Sequence, residues 1–361
     1  MIVFSVVSSW YRLIEPLLHE IDKMATKSVV MDLPSVCLYK TKNEITKEMI
    51  QLLRQTPSFL RIESHGNSMW MCGEAFSELG QKDLLVEVLL SYGLDHVIPT
   101  TTLLPWDADD ADQIILPTED GGIFLLKAAL GCQGNGISFV KSKGQVLEIV
   151  KIDADNARNE NNFLECLEKR LGRIPKWSLQ THIKSMLVNE RKFHVRTYIL
   201  IDHSFKQIFA YDNYEVRLAC SPYSNIDETS DDRNVHITNG GGTNDTMRVM
   251  MSELPQLDGM DTNIKEFIRG LFCPPLKDYL LSRESPLVHQ FPNCRIFSFA
   301  ALDLMIDSDK RVWLLEVNAR CPGAPSEGFG SGMFQKHLKT FCDDLVNITW
   351  LDGHPELFTL I

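Results

Sequence analysis

Three oxygen-bearing side chains in the last sixth of the sequence have the types and spacing to share one cation. Asp303, Glu316 and Asn318 fall within Ile296–Arg320, where two runs rich in aliphatic and aromatic residues flank Asp307-Ser308-Asp309-Lys310. That polar segment has turn chemistry, so the stretch reads as a β-hairpin. Side chains alternate faces along a strand, which puts Glu316 and Asn318 on one side. With a two- or four-residue turn, Asp303 pairs opposite Leu314 and shares that side, diagonal to Glu316 and roughly 7–8 Å away at the backbone. A three-residue turn would send Asp303 to the wrong face. Hard oxygen ligands suit Mg²⁺ bridging substrate phosphates better than zinc or copper. The same residues also fit an ordinary hairpin with a solvated polar face.

Cationic groups recur upstream. Lys127 ends the strand Ile123–Lys127, and the loop Ala128–Ser138 follows with Gly131, Gly134 and Gly136 before the strand Ile137–Val140. Glycines let backbone N–H groups approach phosphate oxygens, and a strand-anchored lysine adds a fixed positive charge. The loop is neither a Walker loop nor a GxGxxG opening a helix, and glycines serve any tight turn. Cys132 within it reads as incidental. Lys192–Ile201 alternates cleanly, with Phe193, Val195, Ile199 and Ile201 on one face and Lys192, His194 and Arg196 on the other. Three such groups in a row repel one another unless an anion sits among them; a solvated strand face is the competing reading. Strands at Phe209–Tyr214 and Val216–Ala219 add Arg217. His236, Thr238 and Asn239 then run into Gly240-Gly241-Gly242, a mobile loop by its composition. Taken alone, His236 fits a structural histidine as well as a catalytic one.

Elements must hold these groups in place. Residues 1–100 look like an α/β unit: a core strand at the start, a helical spacing of Ile45, Met49, Leu52 and Leu53, a strand at Phe59–Ile62, and a helix Asp83–Tyr92 closed by Gly93. The loop Glu63–Asn67, with Arg61 before it and His65 inside it, could touch a substrate or be merely solvated. The Asp-rich stretch Thr100–Asp112 reads as a solvated connection and a domain boundary. Asn156–Leu171 fits an amphipathic helix with Phe163, Leu164, Leu167 and Leu171 inward and Gly172 as its stop. Trp177–Ile183 is then a strand that could present backbone groups to an adenine edge. Thr262–Arg283 reads as a helix pair broken at Pro274-Pro275. Gly332–Trp350 carries an apolar helical stripe of Phe334, Leu338, Phe341, Leu345 and Ile348. The expected subdomains are 1–105, 106–185 and 186–361.

Composition narrows the classes. The 361 residues are 44% hydrophobic and 23% charged, as in a soluble globular protein with two or three domains or subdomains. A net charge of −12 argues against general nucleic-acid or anionic-membrane binding. Nine scattered cysteines with no CxxC pair suit reduced thiols and a cytoplasmic setting. The apolar start is interrupted by Arg12 and lacks a basic leader, so it reads as core, not as a signal or membrane span.

Taken in order, Lys127 with its glycine loop, RKFHVR, VRLA, HITN and LLEVN resemble the ATP-grasp superfamily, and most closely the tubulin tyrosine ligase-like enzymes. The likeness covers roughly residues 120–320. It implies an α/β (α+β) ATP-grasp fold of three subdomains, with ATP between the central and C-terminal ones. It implies ATP- and Mg²⁺-dependent ligation of a carboxylate to an amine through an acyl-phosphate. By resemblance, Lys127 and the loop with Gly134 and Gly136 would contact ATP, and Gln180, Thr181 and Ile183 would meet the adenine. Lys192, Arg196 and Arg217 would neutralise the phosphates and the acyl-phosphate. His236, Thr238 and Asn239 would sit at the γ-phosphate, and Asp303, Glu316 and Asn318 would hold Mg²⁺. His194 stands where the family has aspartate. Arg320 is more like ligases that join free amino acids, and could hold a carboxylate substrate or form a structural ion pair. The resemblance makes the expected partners ATP, a carboxylate acceptor and an amino-acid or amine donor. Three functions remain open at this point: an enzyme adding an amino acid to a peptide or protein carboxylate, a biosynthetic ligase joining small molecules, and a nucleotide-binding scaffold without turnover.

Overall fold

The alternating stretch that begins at Lys192 becomes an inner strand of the larger of the two sheets among the described residues. The structure is a computed structural model. It describes residues 2–6, 59–64, 67–72, 74–118, 122–129, 136–159, 168, 172–223, 233–236, 238, 247–283, 294–319, 337, 339–341, 343–345, 347–348 and 355–361. In chain order its elements are β1 (Ile2–Val6), β2 (Phe59–Ser64), β3 (Asn67–Cys72), α1 (Lys82–Ser91), β4 (Thr101–Leu104), β5 (Phe124–Ala128), β6 (Ile137–Val140), α2 (Lys143–Asn159) and β7 (Trp177–Thr181). There follow β8 (Phe193–Asp202), β9 (Gln207–Tyr211), β10 (Glu215–Leu218), α3 (Arg233–His236), β11 (Met247–Met250), α4 (Met260–Leu271), α5 (Pro274–Ser282), β12 (Cys294–Ile306), β13 (Val312–Asn318) and β14 (Phe358–Leu360). The fold is α+β.

The ten-stranded sheet runs β1-β2-β3-β12-β8-β10-β11, with β13 also on β12, β9 on β8 and β14 on β9. Only the β3–β12 pairing is parallel among the described pairs. Every residue of β8 is buried. Val195, Ile199 and Ile201 share one apolar core with Ile264, Ile268 and Leu271 of α4 and with Leu85 and Leu89 of α1. On the opposite face Tyr198 stacks on Phe299 at 5.5 Å and meets Phe341 at 4.9 Å. Phe341, Leu345 and Ile348 of the expected C-terminal stripe are buried at helical positions; Phe334 and Leu338 lie outside the described residues.

The four-stranded sheet runs β4-β7-β5-β6, all antiparallel. Phe124, Leu126, Trp177 and Leu179 point to its core, where Val146 and Val150 of α2 cover them. Leu125, Lys127 and Gln180 take the other face, as strand alternation requires. The Asp-rich stretch is not only a solvated connection. Its first residues form β4, paired with β7, and Trp106 is buried in a stack with Trp177 at 5.2 Å. The helix expected at Asn156–Leu171 overlaps the last residues of α2, and most of the rest lies outside the described residues. The spacing of Val146, Val150 and Ala154, all buried, carries the helix that is present. Gly172, with φ +70° and its N–H on the Glu168 carbonyl, has the geometry of a helix stop.

The hairpin β12–β13 departs from the expected register. Its last pair is Ile306 with Val312, so the connection runs from Asp307 to Arg311 and is one residue longer than the four-residue turn expected. An odd connection would turn Asp303 away. The register shifts between Asp303 and Leu304, however: Leu304 faces Leu314 and Asp303 faces Glu316, with Leu315 as an extra, bulged residue. Asp303 is thus directly opposite Glu316, not diagonal to it. Two single-residue shifts cancel, and both carboxylates end on one face.

Candidate active site

A cleft with about 970 Å³ of empty space, counting its open mouth, separates the two sheets. Leu125, Lys127, Ile137, Phe139 and Gln180 form one wall, and His194, Asp303, Met305, Leu315 and Glu316 form the other. Thr181, Ile183, Lys192, His236 and Thr238 also line it. The bulge explains how consecutive residues Leu315 and Glu316 can both reach the lining. Lys82, at the start of α1, reaches the cleft from the N-terminal part of the chain, 3.9 Å from Glu316.

Most of the anticipated polar residues converge here. Lys127 donates from Nζ to Gln180 Oε1 at 2.5 Å, and Gln180 Nε2 donates to Thr101 Oγ1 at 3.0 Å. Burial pushes the Lys127 ammonium down to about 8, with Lys82 acting in the same direction and Glu316 against it. Burial also takes Lys192 down to about 8. Its Nζ lies 2.9 Å from His236 Nδ1 and 3.2 Å from His182 Nε2, above the Tyr223 ring at 4.8 Å. Burial, then the Lys192 and His236 charges, lowers His182 to about 3, so that imidazole is neutral. His236 sits on the one-turn α3, its ring 4.7 Å from Phe139.

The carboxylate end is organised around Arg196. Its Nε and Nη2 donate to Asp303 Oδ1 and Oδ2, each at 2.7 Å, and Asn318 Nδ2 donates to Asp303 Oδ2 at 3.0 Å. Burial alone would raise Asp303, but Arg196 and its neighbours hold it well below the ordinary carboxylate range. Glu316 is raised, by burial first and by Asp303 against the opposing Lys82. His194 Nδ1 is 2.5 Å from Thr238 Oγ1, and its Nε2 lies 3.7 Å from Asp303 Oδ1. Burial drives His194 down to about 3; Asp303 opposes this, and Arg217, Arg196 and Arg248 add to it. The imidazole is therefore neutral. The solvated-face reading of this strand fails, since Lys192, His194 and Arg196 are all buried.

Other anticipated residues stand apart from the lining. Arg196 is locked on Asp303, and Arg217 donates from Nε to Glu215 Oε1 at 2.5 Å. Gly136, with φ +70°, closes the β5–β6 connection by accepting the Ala128 N–H at 2.8 Å. Gly134, Asn239 and Arg320 lie outside the described residues, as do Cys132 and His65. Sequence reading assigned no role to Lys82, His182, Phe139, Met305 or Leu315. His182 and Met305 lay in stretches already read as strands, whereas nothing local to Lys82 marks it as facing Glu316.

The donor set at Asp303, Glu316 and Asn318 fits a hard divalent cation: all can offer oxygen, with Asp303 and Glu316 directly paired across two strands and Asn318 two residues beyond Glu316, outside the lining but hydrogen-bonded to Asp303. A carboxylate has about four lone-pair sites, and Arg196 and Asn318 take three of those on Asp303. Among the described residues, Glu316 faces the cleft with the longer Lys82 contact.

A sequence model described as the Tubulin-tyrosine ligase family matches residues 43–328. The chain belongs to that family. Among curated relatives, this family member is similar to "Tubulin glycylase 3B" of Tetrahymena thermophila, at 24% identity over 204 residues, covering 52% of this chain and 16% of the relative. It is also similar to "Tubulin polyglutamylase TTLL6" of Mus musculus, at 24% identity over 270 residues, covering 67% of this chain and 29% of the relative. The chain thus spans less than a third of the length of either relative.

Proposed function

We propose that the cleft binds ATP with Mg²⁺ and that the chain joins an amino acid to the carboxylate of a peptide or protein. The observation that carries this reading is the convergence of Lys127, Lys192, Asp303 and Glu316 on one cleft between two sheets. Ile183, Met305 and Leu315 would pack against a planar base, while Lys127 and Lys192 would meet the phosphates. Mg²⁺, held by Asp303, Glu316 and Asn318, would supply charge neutralisation at the phosphate oxygens. Arg196 and Arg217, fixed by their carboxylate partners, would keep positive charge beside the acceptor as its carboxylate is phosphorylated to an acyl-phosphate. Thr238, His236 and Asn239 belong to the γ-phosphate end, and Arg320 to the substrate carboxylate. The names of both relatives place tubulin as their substrate, so a protein acceptor with accessible carboxylates of that kind is the class we propose here.

The three-subdomain arrangement is part of this reading, with the four-stranded sheet as the central unit and the β8–β13 region as the metal-bearing one. No helix among the described residues is long and apolar enough to cross a membrane. We place the activity in the cytoplasm, in keeping with the cysteine usage of the sequence. An ADP-release screen over free amino acids, dipeptides and acidic peptides tests the assignment. Release should require an amine together with a carboxylate acceptor, and Glu316→Gln should abolish it. Release that persists in Glu316→Gln, or none under any pairing, would overturn the proposal.

A further inference from the structure

Beyond Arg196, the same face of the large sheet carries a second polar group that the nucleotide cleft does not use. Register places Glu215 of β10 opposite Arg196, and Arg217 opposite both His194 of β8 and Arg248 of β11. Glu215 Oε1 accepts from Arg217 at 2.5 Å, with Arg248 Nη1 3.9 Å away. Among the described residues, Glu215 Oε2 has no hydrogen-bond partner; nor do Arg248 Nη1 and the Tyr198 hydroxyl. Glu215 and Tyr198 are both at 0% exposure, whereas the Arg248 side chain keeps 20%.

This pattern is chemically specific. Like charges directly across a strand pair repel, and Arg217 and Arg248 share a single carboxylate oxygen. Burial, followed by Arg217, pushes Arg248 below its ordinary value. One guanidinium N–H therefore lacks an acceptor, while a neighbouring carboxylate oxygen lacks a donor. Buried groups of both kinds call for partners. The simplest complement is a molecule with a carboxylate and an ammonium attached to the same carbon, and a free α-amino acid is that molecule. Glu316, Asp303, Arg196 and Glu215 form one row across four neighbouring strands. At the usual strand spacing the patch lies roughly 10 Å from Asp303 at the backbone, a gap that side chains and a small substrate can span.

We infer that Glu215, Arg248 and Tyr198 form the subsite for the amine substrate, a free α-amino acid whose carboxylate meets Arg248 and whose ammonium meets Glu215. The inference rests on the ligase reading and names residues for its donor. It is tested by calorimetric titration of the full chain with each of the twenty free amino acids, in parallel with titration of ATP. For an amino acid that binds, its α-carboxamide and the matching amine without a carboxylate follow.

Both analogues should bind roughly thirtyfold more weakly than the amino acid. Arg248→Met should lose about the same factor for the amino acid and nothing further for the amine, with Arg248→Lys recovering part of the loss. ATP affinity should stay within about twofold in each variant. Unchanged amino-acid affinity in Arg248→Met, equal affinity for the analogues, or ATP binding with no amino acid binding overturns the subsite. Wild-type chain that fails to bind ATP overturns the ligase reading instead. Because the analogue comparison uses unmodified protein, a variant that misfolds does not decide the outcome.

Discussion

Arg196 grips Asp303 with both prongs of its guanidinium, at 2.7 Å each, so one carboxylate serves both a buried cation and the cleft. Asp303→Ala would leave Arg196 buried without its partner, a situation that costs about 3–5 kcal/mol. Glu316→Gln removes no such partner and should change stability by less than about 1 kcal/mol while abolishing ADP release. Chemical denaturation of the two variants beside the activity assay checks the contrast. Equal destabilisation would show that Glu316 is structural.

ATP affinity should fall as pH rises. Lys127 and Lys192 lose their protons near pH 8 in the free protein, because burial has lowered both. A bound polyphosphate favours the charged form, so binding takes up protons above pH 8. The expected loss is at least about tenfold between pH 7 and pH 9. Folding responds in the opposite sense: the two buried ammoniums weigh against the folded state below pH 8. That penalty fades as pH climbs toward the ordinary lysine value of about 10.4. Titrations in buffers of different ionisation enthalpy count the protons directly. A flat affinity from pH 7 to 9 contradicts the assignment of these lysines to phosphate.

His194→Asp should lower the Mg²⁺ concentration needed for half-maximal ADP release by severalfold. The native imidazole is neutral and lies 3.7 Å from Asp303. A carboxylate there adds a negative charge beside the proposed cation, and a close charge pair near a protein surface is worth a few kcal/mol before desolvation. An unchanged or higher Mg²⁺ requirement would place the cation elsewhere.

Trp106→Ala should destabilise the protein by about 3–5 kcal/mol, the usual cost of deleting a buried indole. Trp106 follows β4 and stacks on Trp177 in the small sheet's core. If the Asp-rich stretch were only a solvated connection, thermal unfolding would hardly change.

Strand periodicity made much of this fold readable. The alternation in Lys192–Ile201 anticipated β8 and its two faces; that His194 would be buried as a neutral imidazole among them was not legible in the spacing. What stayed hidden depends on non-local register. That Arg196 would find Asp303, 107 residues away, follows from β8 lying beside β12, which no short window encodes. Lys82 is similar: its place opposite Glu316 arises from packing of α1 against the end of β13, where a side chain on Gly80 would come within 3.0 Å of Ala319. Trp106 was missed for another reason. Four aspartates nearby dominate the composition, and they mask one aromatic that is buried.

The bulge in the β12–β13 hairpin is a spare tooth in the strand: Leu314 already faces Leu304, so with Leu315 deleted Glu316 would still fall opposite Asp303. The pairing of the two carboxylates is therefore expected to outlast that deletion, and the cleft to lose only the apolar side chain that Leu315 contributes.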